Sequence, residues 1–102
     1  MKKTYLDLSA GHLTPETREA LINTSVQGRM ASGWPALSIG EYEYGWFVTV
    51  PPLDIPGVGA QMHNLPRDLR ECLFYAFQQG AELIRFDADG DECGDITFYQ
   101  EI

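Results

Sequence analysis

The amino-acid sequence predicts an α+β fold in which two helices pack on a mostly antiparallel sheet, in the order β-α-β-β-α-β-β. Apolar residues at helical spacing in two segments carry this prediction, together with alternating, β-branched and aromatic residues in five others. The size is consistent with it. The chain has 102 residues, of which 44% are hydrophobic, and this fits one small acidic domain over residues 1–102.

The first half of the chain supplies a strand, a helix and two further strands. "TYLDL" alternates and predicts a strand that ends near Ser9. Thr14 and Pro15 are typical of an N-cap and of the first helical position, so "TPETREALINTS" predicts a helix. Residues 36–42 and 44–50 are rich in Ile, Tyr, Trp, Phe and Val and predict two strands.

The second half begins with a proline-rich stretch. Residues 51–64 hold three prolines and two glycines and predict a long loop that folds back over the edge of the sheet. "LPRDLRECLFYAFQQG" predicts the strongest helix, because Leu65, Leu69 and Leu73 follow helical spacing and Gly80 suits the C-terminal cap. "ELIRF" and "ITFYQEI" predict the last two strands.

The charge is strongly negative and unevenly distributed. The formal net charge is -8, and residues 81–102 alone carry -6, from seven acidic residues and Arg85. Direct binding to nucleic acid or to anionic lipid is not expected, because phosphate contacts are made by Lys and Arg. Asp7 interrupts the basic start and no long apolar run is present, so we expect neither a signal peptide nor a membrane span. Cys72 and Cys93 form no CxxC pair, which favours a reduced cytoplasmic protein.

The stretch "RFDADGDECGD", residues 85–95, raises the main functional question, and a metal loop is one interpretation of it. Carboxylates occupy positions 1, 3, 5 and 9 of a calcium-type loop: Asp87, Asp89, Asp91 and Asp95. Glu92 stands where that motif needs a glycine, and Phe98 stands where it needs a glutamate. The match is therefore partial, and no metal site is assigned. A divalent-metal or small-ligand site, with Asp87, Asp89, Asp91 and His12 as candidate ligands, is the alternative function.

A catalytic centre is the second interpretation. Asp87 ends one predicted strand and His12 follows another, so the two would form an acid–base pair if those strands were neighbours. A histidine just before a helix cap is, however, more often a structural hydrogen-bonding group. "GVGAQ" lacks the spacing and the lysine of a phosphate-binding loop. We therefore assign no catalytic residue, expect no cofactor, and do not expect an enzyme, although a His12–Asp87 pair would change that.

A charged interaction surface is the third interpretation and the preferred one. Closely spaced carboxylates complement an Arg- and Lys-lined groove and can imitate the phosphates of a nucleic acid. Tyrosines beside them would supply anchors, because Tyr is enriched at interface hot spots, although aromatic residues also pack small cores. The residues predicted to bind the partner are Asp87, Asp89, Asp91, Glu92, Asp95, Tyr42, Tyr44 and Tyr99. The expected partner is a basic protein surface, with no prediction of oligomeric state.

Four motifs together resemble a known group of proteins. "LDLSAGHLTPET", "YEYGWFVTV", "LPRDLRECLFYA" and "IRFDADGD" are similar to a family of short uncharacterised bacterial proteins, a domain of unknown function common on plasmids, prophages and other mobile elements. The resemblance implies a context rather than a chemistry. Small acidic proteins of such elements often act against host defence, so it implies an inhibitor of a nucleic-acid-binding defence protein, of the anti-CRISPR or anti-restriction type.

Overall fold

A computed structural model describes residues 5–27 and 38–99. Its strands are β1 (Tyr5–Ser9), β2 (Ile39–Tyr42), β3 (Gly45–Thr49) and β4 (Leu83–Asp87). Its helices are α1 (Pro15–Gln27), α2 (Pro56–Gln61) and α3 (Arg67–Gln78). Two single turns of 3-10 helix, Ala10–His12 and Met62–Asn64, precede α1 and α3.

The four strands form one mixed sheet in the order β1-β4-β3-β2. β1 pairs with β4 in parallel, whereas β4 with β3 and β3 with β2 are antiparallel pairs. The parallel register places Ser9 opposite Asp87, and the antiparallel register places Gly45 on the other side of Asp87. The carboxyl ends of β1 and β4 therefore lie side by side, and this positions the segment that follows β4.

The buried face of the sheet carries alternate residues of its central strands. Val48, Ile84 and Phe86 are fully buried, and Leu8 of β1 joins them. They belong to one hydrophobic cluster with Leu69, Leu73 and other apolar residues of α3 and with Leu21 of α1. The opposite face remains partly open to solvent, as is usual for sheets with antiparallel pairs. Asp7, Phe47 and Arg85 form one row across that outer face.

The ends of the two long helices follow the sequence signals. Thr14 caps α1, because its hydroxyl oxygen accepts a hydrogen bond from the backbone N–H of Thr17 at 3.3 Å. The buried carboxylate of Asp68 in α3 accepts from the Thr14 backbone N–H at 2.7 Å and from the Thr17 hydroxyl at 2.9 Å. Gly80, with φ of 79°, lies just beyond α3. Both helices were predicted, and the Asp68 contacts join them.

The predicted loop over residues 51–64 is wrong in part, because it contains α2 and a 3-10 turn. Pro56 occupies the first turn of α2, where its missing N–H costs nothing. Leu53 and Met62, on either side of α2, are buried in the hydrophobic cluster. The described ranges therefore hold three helices rather than the predicted two.

The predicted last strand, "ITFYQEI", is also wrong over the part that the structure describes. Residues 96–99 form no strand, and the rest of that prediction lies outside the described residues. The backbone N–H of Tyr99 donates to the carbonyl oxygen of Gly11 at 2.7 Å, so this segment is hydrogen-bonded to a turn instead of to a strand. Residues 36 and 37, predicted to begin the second strand, likewise lie outside the described ranges. No helix within those ranges is long and apolar enough to cross a membrane.

Candidate functional site

The acidic segment, residues 87–95, leaves the carboxyl end of β4 and turns at once across the end of β1. The Asp87 carboxylate accepts a hydrogen bond from the Asp89 backbone N–H at 2.7 Å. The backbone N–H of Ser9 donates to the carbonyl oxygen of Asp91 at 2.8 Å. Three carboxylates of the segment, with Asp7 and Arg85, line an open cavity of about 180 Å³.

Gly90 allows this segment to lie directly on β1. A Cβ atom at Gly90 would lie 2.4 Å from the carbonyl oxygen of Leu8, which is closer than side-chain atoms approach a backbone oxygen. The glycine is therefore required by close packing of two backbones and not by an unusual backbone angle. Asp89 and Asp91, on either side of Gly90, are therefore carried on backbone that packs directly against the end of β1.

His12 fixes the second half of the acidic segment. Its side chain is fully buried, and its Nε2 atom accepts a hydrogen bond from the Cys93 backbone N–H at 2.8 Å. The Nδ1 atom lies 2.9 Å from the carbonyl oxygen of Thr97, so in this neutral tautomer Nδ1–H is the donor to Thr97. The ring also meets Phe98 edge-on, at 5.2 Å between ring centres. His12 is thus a structural hydrogen-bonding group, and both of its ring nitrogens are used by backbone atoms.

The His12–Asp87 pair that the sequence left open is not formed, although β1 and β4 are neighbours. The Tyr42 hydroxyl donates to the Asp87 carboxylate at 2.5 Å. This bond, followed by the one from the Asp89 N–H, lowers the pKa of Asp87. Burial and the bond to Asp87 raise the pKa of Tyr42 to about 12. Asp87 is thus an ionised carboxylate, and it does not hold the proton that a general acid must donate near neutral pH.

Two of the predicted tyrosines lie beside the start of the acidic segment. The rings of Tyr42 and Phe47 are 4.8 Å apart, and those of Tyr42 and Tyr44 are 6.3 Å apart. The Tyr44 carbonyl accepts a hydrogen bond from the Ala88 backbone N–H at 3.0 Å, and the Tyr44 side chain is 59% exposed. The structure therefore brings Tyr42 and Tyr44 close to Asp87.

Two other predicted residues, Asp95 and Tyr99, lie near side chains of α3. The Tyr75 hydroxyl of α3 is 3.5 Å from the Asp95 carboxylate. Burial, and then the nearby charges of Asp68 and Glu71 in α3, raise the pKa of Tyr99. The other predicted residues, Asp87, Asp89, Asp91 and Glu92 with Tyr42 and Tyr44, are here called the acidic face.

The Asp7–Arg85 ion pair was not identified from the sequence. The Arg85 guanidinium donates to both carboxylate oxygens of Asp7, through Nε and through Nη2 at 2.9 Å. This pairing raises the pKa of Arg85, whose side chain also lies over the Tyr5 ring at 5.4 Å. Asp7 and Arg85 are opposite each other in the parallel register, so only the strand pairing could have revealed them. Among the described residues, the cation that lines the cavity with Asp87, Asp89 and Asp91 is thus already paired with Asp7.

The candidate metal ligands do not come together as a metal site within the described residues. In residues 5–27 and 38–99, no three His, Cys, Asp or Glu side chains are grouped so as to hold a metal ion. Of the four candidate ligands, His12 has no ring nitrogen left for a metal, and Asp87 already accepts two hydrogen bonds. Asp89 and Asp91 are exposed.

Comparison with known proteins gives the family. The chain matches the model of the "Family of unknown function (DUF5983) C-terminal domain" over residues 5–101, and it belongs to that family. No curated protein and no solved structure matches the chain.

Proposed function

We propose that this DUF5983 domain is a non-enzymatic interaction protein that uses its acidic face to bind a basic surface on a nucleic-acid-binding protein. In the finer form of the proposal, the domain comes from a mobile element and the partner is a host defence protein. The domain occupies the partner's basic groove as a nucleic-acid mimic, in the manner of anti-CRISPR or anti-restriction inhibitors. The domain would then act in the cytoplasm, where such partners bind DNA or RNA.

The observation that carries the proposal is a set of exposed carboxylates on a firmly held backbone. Asp89, Asp91 and Glu92 are exposed, and none of them forms an ion pair within the described ranges. The segment that carries them is held by Ser9, Gly90 and His12. A surface that is already ordered loses little conformational entropy on binding. Mutual repulsion among these carboxylates is a cost that a basic partner would relieve.

The tyrosines add ring contacts to the charged contacts that the acidic face can make. Tyr44 is mostly exposed, and its ring meets Tyr42 at the edge of the acidic face. Interface hot spots are enriched in tyrosine, and arginine side chains of a partner stack favourably on its ring. A basic groove with arginines near its rim would therefore gain both ion pairs and ring contacts here.

Competition with nucleic acid is the direct consequence of this proposal. Grooves that bind DNA or RNA present Lys and Arg to a row of phosphates, and ion pairs formed there weaken as salt concentration rises. A carboxylate surface seated in such a groove excludes the nucleic acid. We therefore expect a complex that dissociates at high salt and that cannot form on a partner already bound to DNA or RNA.

Affinity capture from host lysate tests the proposal. The bait proteins are the wild type and the variant D89N/D91N/E92Q, which neutralises three exposed carboxylates and leaves Asp87 and its bond to Tyr42 intact. The matched control E16Q/E19Q/D54N removes the same amount of charge from exposed positions elsewhere. We expect the wild type and the control to retain one nucleic-acid-binding protein at low salt, and the acidic-face variant to lose it.

Three outcomes would contradict the proposal. The acidic-face variant could retain the partner as well as the control does, which would remove the face from the interaction. The captured protein could also bind DNA and this domain at the same time, which would exclude mimicry. Finally, retention could be unaffected by high salt, which would exclude a charge-driven contact.

The alternative that the sequence raised, a divalent-metal or small-ligand site, has its own test. The observation behind it is the cavity of about 180 Å³ that Asp7, Asp87, Asp89 and Asp91 line with Arg85, although these described carboxylates are not grouped so as to hold a metal ion. A ligand that binds only the folded state raises the melting temperature. Under the interaction proposal, calcium or manganese at millimolar concentration leaves the melting temperature unchanged. An increase that D89N/D91N abolishes would favour the alternative.

A further inference from the structure

A second surface, away from the acidic face, lies at the start of α3. Here an open groove of about 340 Å³ is lined by His63, Arg67, Arg70, Glu71 and Phe74. Its volume falls within the range of about 300–1,000 Å³ that is usual for small-molecule sites.

Arg67 and Arg70 have no carboxylate partner within residues 5–27 and 38–99. Arg70 instead places Nη1 3.5 Å from Nδ1 of His63. The four-residue spacing of Arg67 and Glu71 would permit an ion pair along the helix, yet none is formed. In a chain with a net charge of -8, two arginines that share a groove and are not neutralised by the chain's own acids form a local positive site.

The position of these arginines in the helix is also unfavourable. Arg67 is the first residue of α3 and Arg70 is the fourth, so both lie at its N-terminal end. The helix macrodipole disfavours cations in the first turn, by about 0.3–1 kcal/mol each at exposed positions. Helical stability therefore does not explain their placement. An oxyanion bound by both guanidinium groups would offset this cost, because arginine pairs with oxyanions in bidentate geometry.

Two further groups in the groove define the rest of the ligand. Phe74 lies one turn beyond Arg70 and is 37% exposed, so it offers a flat apolar wall. The Glu71 Oε1 atom is buried and has no hydrogen-bond donor among the described residues, whereas its Oε2 atom lies 3.5 Å from the Thr97 hydroxyl. Because Oε1 is closed off from the groove and Oε2 has only this long contact, Oε2 is the Glu71 atom that can accept a hydrogen bond from a ligand N–H.

We propose that this groove binds a small phosphorylated ligand with a flat ring that carries N–H groups, the chemical class of a mononucleotide. Arg67 and Arg70 hold the phosphate, Phe74 stacks on the ring, and Glu71 accepts a hydrogen bond from the ring's N–H edge. Guanine presents such donors next to each other, which makes guanosine monophosphate the best probe. The inference does not depend on the acidic face.

Calorimetric titration and amide-shift mapping by NMR test this inference. The probes are guanosine monophosphate, guanosine, inorganic phosphate and an oligoglutamate peptide. We expect the nucleotide to shift the amides around residues 63–74 and to bind at least about tenfold more tightly than the other three probes. We also expect R67Q/R70Q and F74A each to weaken nucleotide binding by about tenfold or more.

Two control variants test whether the loss of nucleotide binding is specific to the groove. K2Q/K3Q, which changes the net charge by the same amount as R67Q/R70Q, and D89N/D91N/E92Q should both bind the nucleotide as the wild type does. Absence of nucleotide binding to the wild type would overturn the inference, as would unchanged binding in R67Q/R70Q. Phosphate binding as tight as that of the nucleotide would also overturn it, because the groove would then hold an adventitious ion only. Tightest binding of the peptide would replace the nucleotide with an acidic protein segment.

Discussion

His12 links the first turn of the chain to the segment that carries most of the charge. Its two ring nitrogens satisfy the Cys93 N–H and the Thr97 carbonyl in a fully buried position. The sequence identified His12 as notable and left two roles open, a structural one and a pair with Asp87. Sequence spacing could not choose between them, because the residues that bind His12 are more than 80 positions away.

Replacing His12 by phenylalanine is expected to destabilise the protein. H12F keeps a ring of similar shape but removes the partners of the Cys93 N–H and the Thr97 carbonyl from a fully buried position, and we expect this to lower the free energy of unfolding by about 2–4 kcal/mol. Urea denaturation measures the change. H63Q, at an exposed histidine, is the control and should stay within about 0.5 kcal/mol of the wild type. An H12F protein as stable as the wild type would show that the buried contacts contribute nothing.

The hydrogen bond between Tyr42 and Asp87 predicts how the stability of the fold depends on pH. Because it lowers the pKa of Asp87 in the folded state, ionised Asp87 stabilises the fold above the ordinary carboxyl pKa. That contribution is lost as the pH falls through the lowered value. Y42F removes the donor, so we expect the pKa of Asp87 to rise and the acid side of the stability profile to become flatter. A carboxyl titration by NMR compares the two proteins, and an Asp87 pKa that is equal in both would refute the account.

At the scale of elements, Gly90 and Gly94 are a matched pair within the acidic segment. A Cβ at Gly90 would meet the Leu8 carbonyl, whereas a Cβ at Gly94 would have nothing within 4 Å. We expect G90A to lower the free energy of unfolding by about 1–3 kcal/mol, because the segment must move away from β1. G94A should change it by no more than about 0.5 kcal/mol. Thermal unfolding of both variants tests whether the acidic segment packs against β1 at Gly90. Equal losses of stability in G90A and G94A would contradict that packing.

The contact between α1 and α3 rests on Asp68, which accepts hydrogen bonds from Thr14 and Thr17 at the start of α1. D68N removes the negative charge and places a donor beside existing donors, so we expect a loss of about 1–3 kcal/mol in the free energy of unfolding. Hydrogen exchange should show the largest loss of protection in α1. D54N, at an exposed aspartate, is the control. Unchanged protection of α1 in D68N would mean that the helix is held by other contacts.

Local signals predicted most of the elements and failed where distant contacts decide the structure. Thr14, Pro15 and the leucines of α3 act within a few residues, so both long helices were identified. Residues 96–99 have the composition of a strand, yet their partner is the turn at Gly11 and His12. The prolines of residues 51–64 suggested a loop, although a proline in the first turn also starts a helix, as Pro56 does.

At the scale of the whole molecule, the sequence showed which segment carries most of the negative charge but not how its carboxylates are arranged in space. The acidic residues after β4 and the neighbouring Tyr42 and Tyr44 were predicted to act together, and the structure places Asp87 with both tyrosines. Asp95 was expected on the same surface, but it lies beside Tyr75 of α3. His12 binds the Cys93 N–H and the Thr97 carbonyl, and Asp95, between those two residues, is thereby held beside α3. The acidic residues follow no sequence pattern from which this position of Asp95 could have been predicted.

The division of charge determines which carboxylates should matter for binding. Asp89, Asp91 and Glu92 share the acidic face with the tyrosines, whereas Asp95 is directed toward α3. We expect D95N to leave partner binding within about twofold of the wild type, while D89N/D91N/E92Q weakens it by about tenfold or more. The fraction of each variant that is retained on the immobilised partner measures this binding. A larger loss in D95N would move the binding surface to the α3 side.

The most direct measurement of the central claim is the salt dependence of the dissociation constant between this domain and its captured partner. Fluorescence anisotropy would measure it for the wild type, the acidic-face variant D89N/D91N/E92Q and the charge-matched control E16Q/E19Q/D54N. The account predicts a steep rise of Kd with salt for the wild type and for the control, and weaker binding with a flatter dependence for the acidic-face variant. The same Kd and the same salt dependence in all three proteins would contradict it.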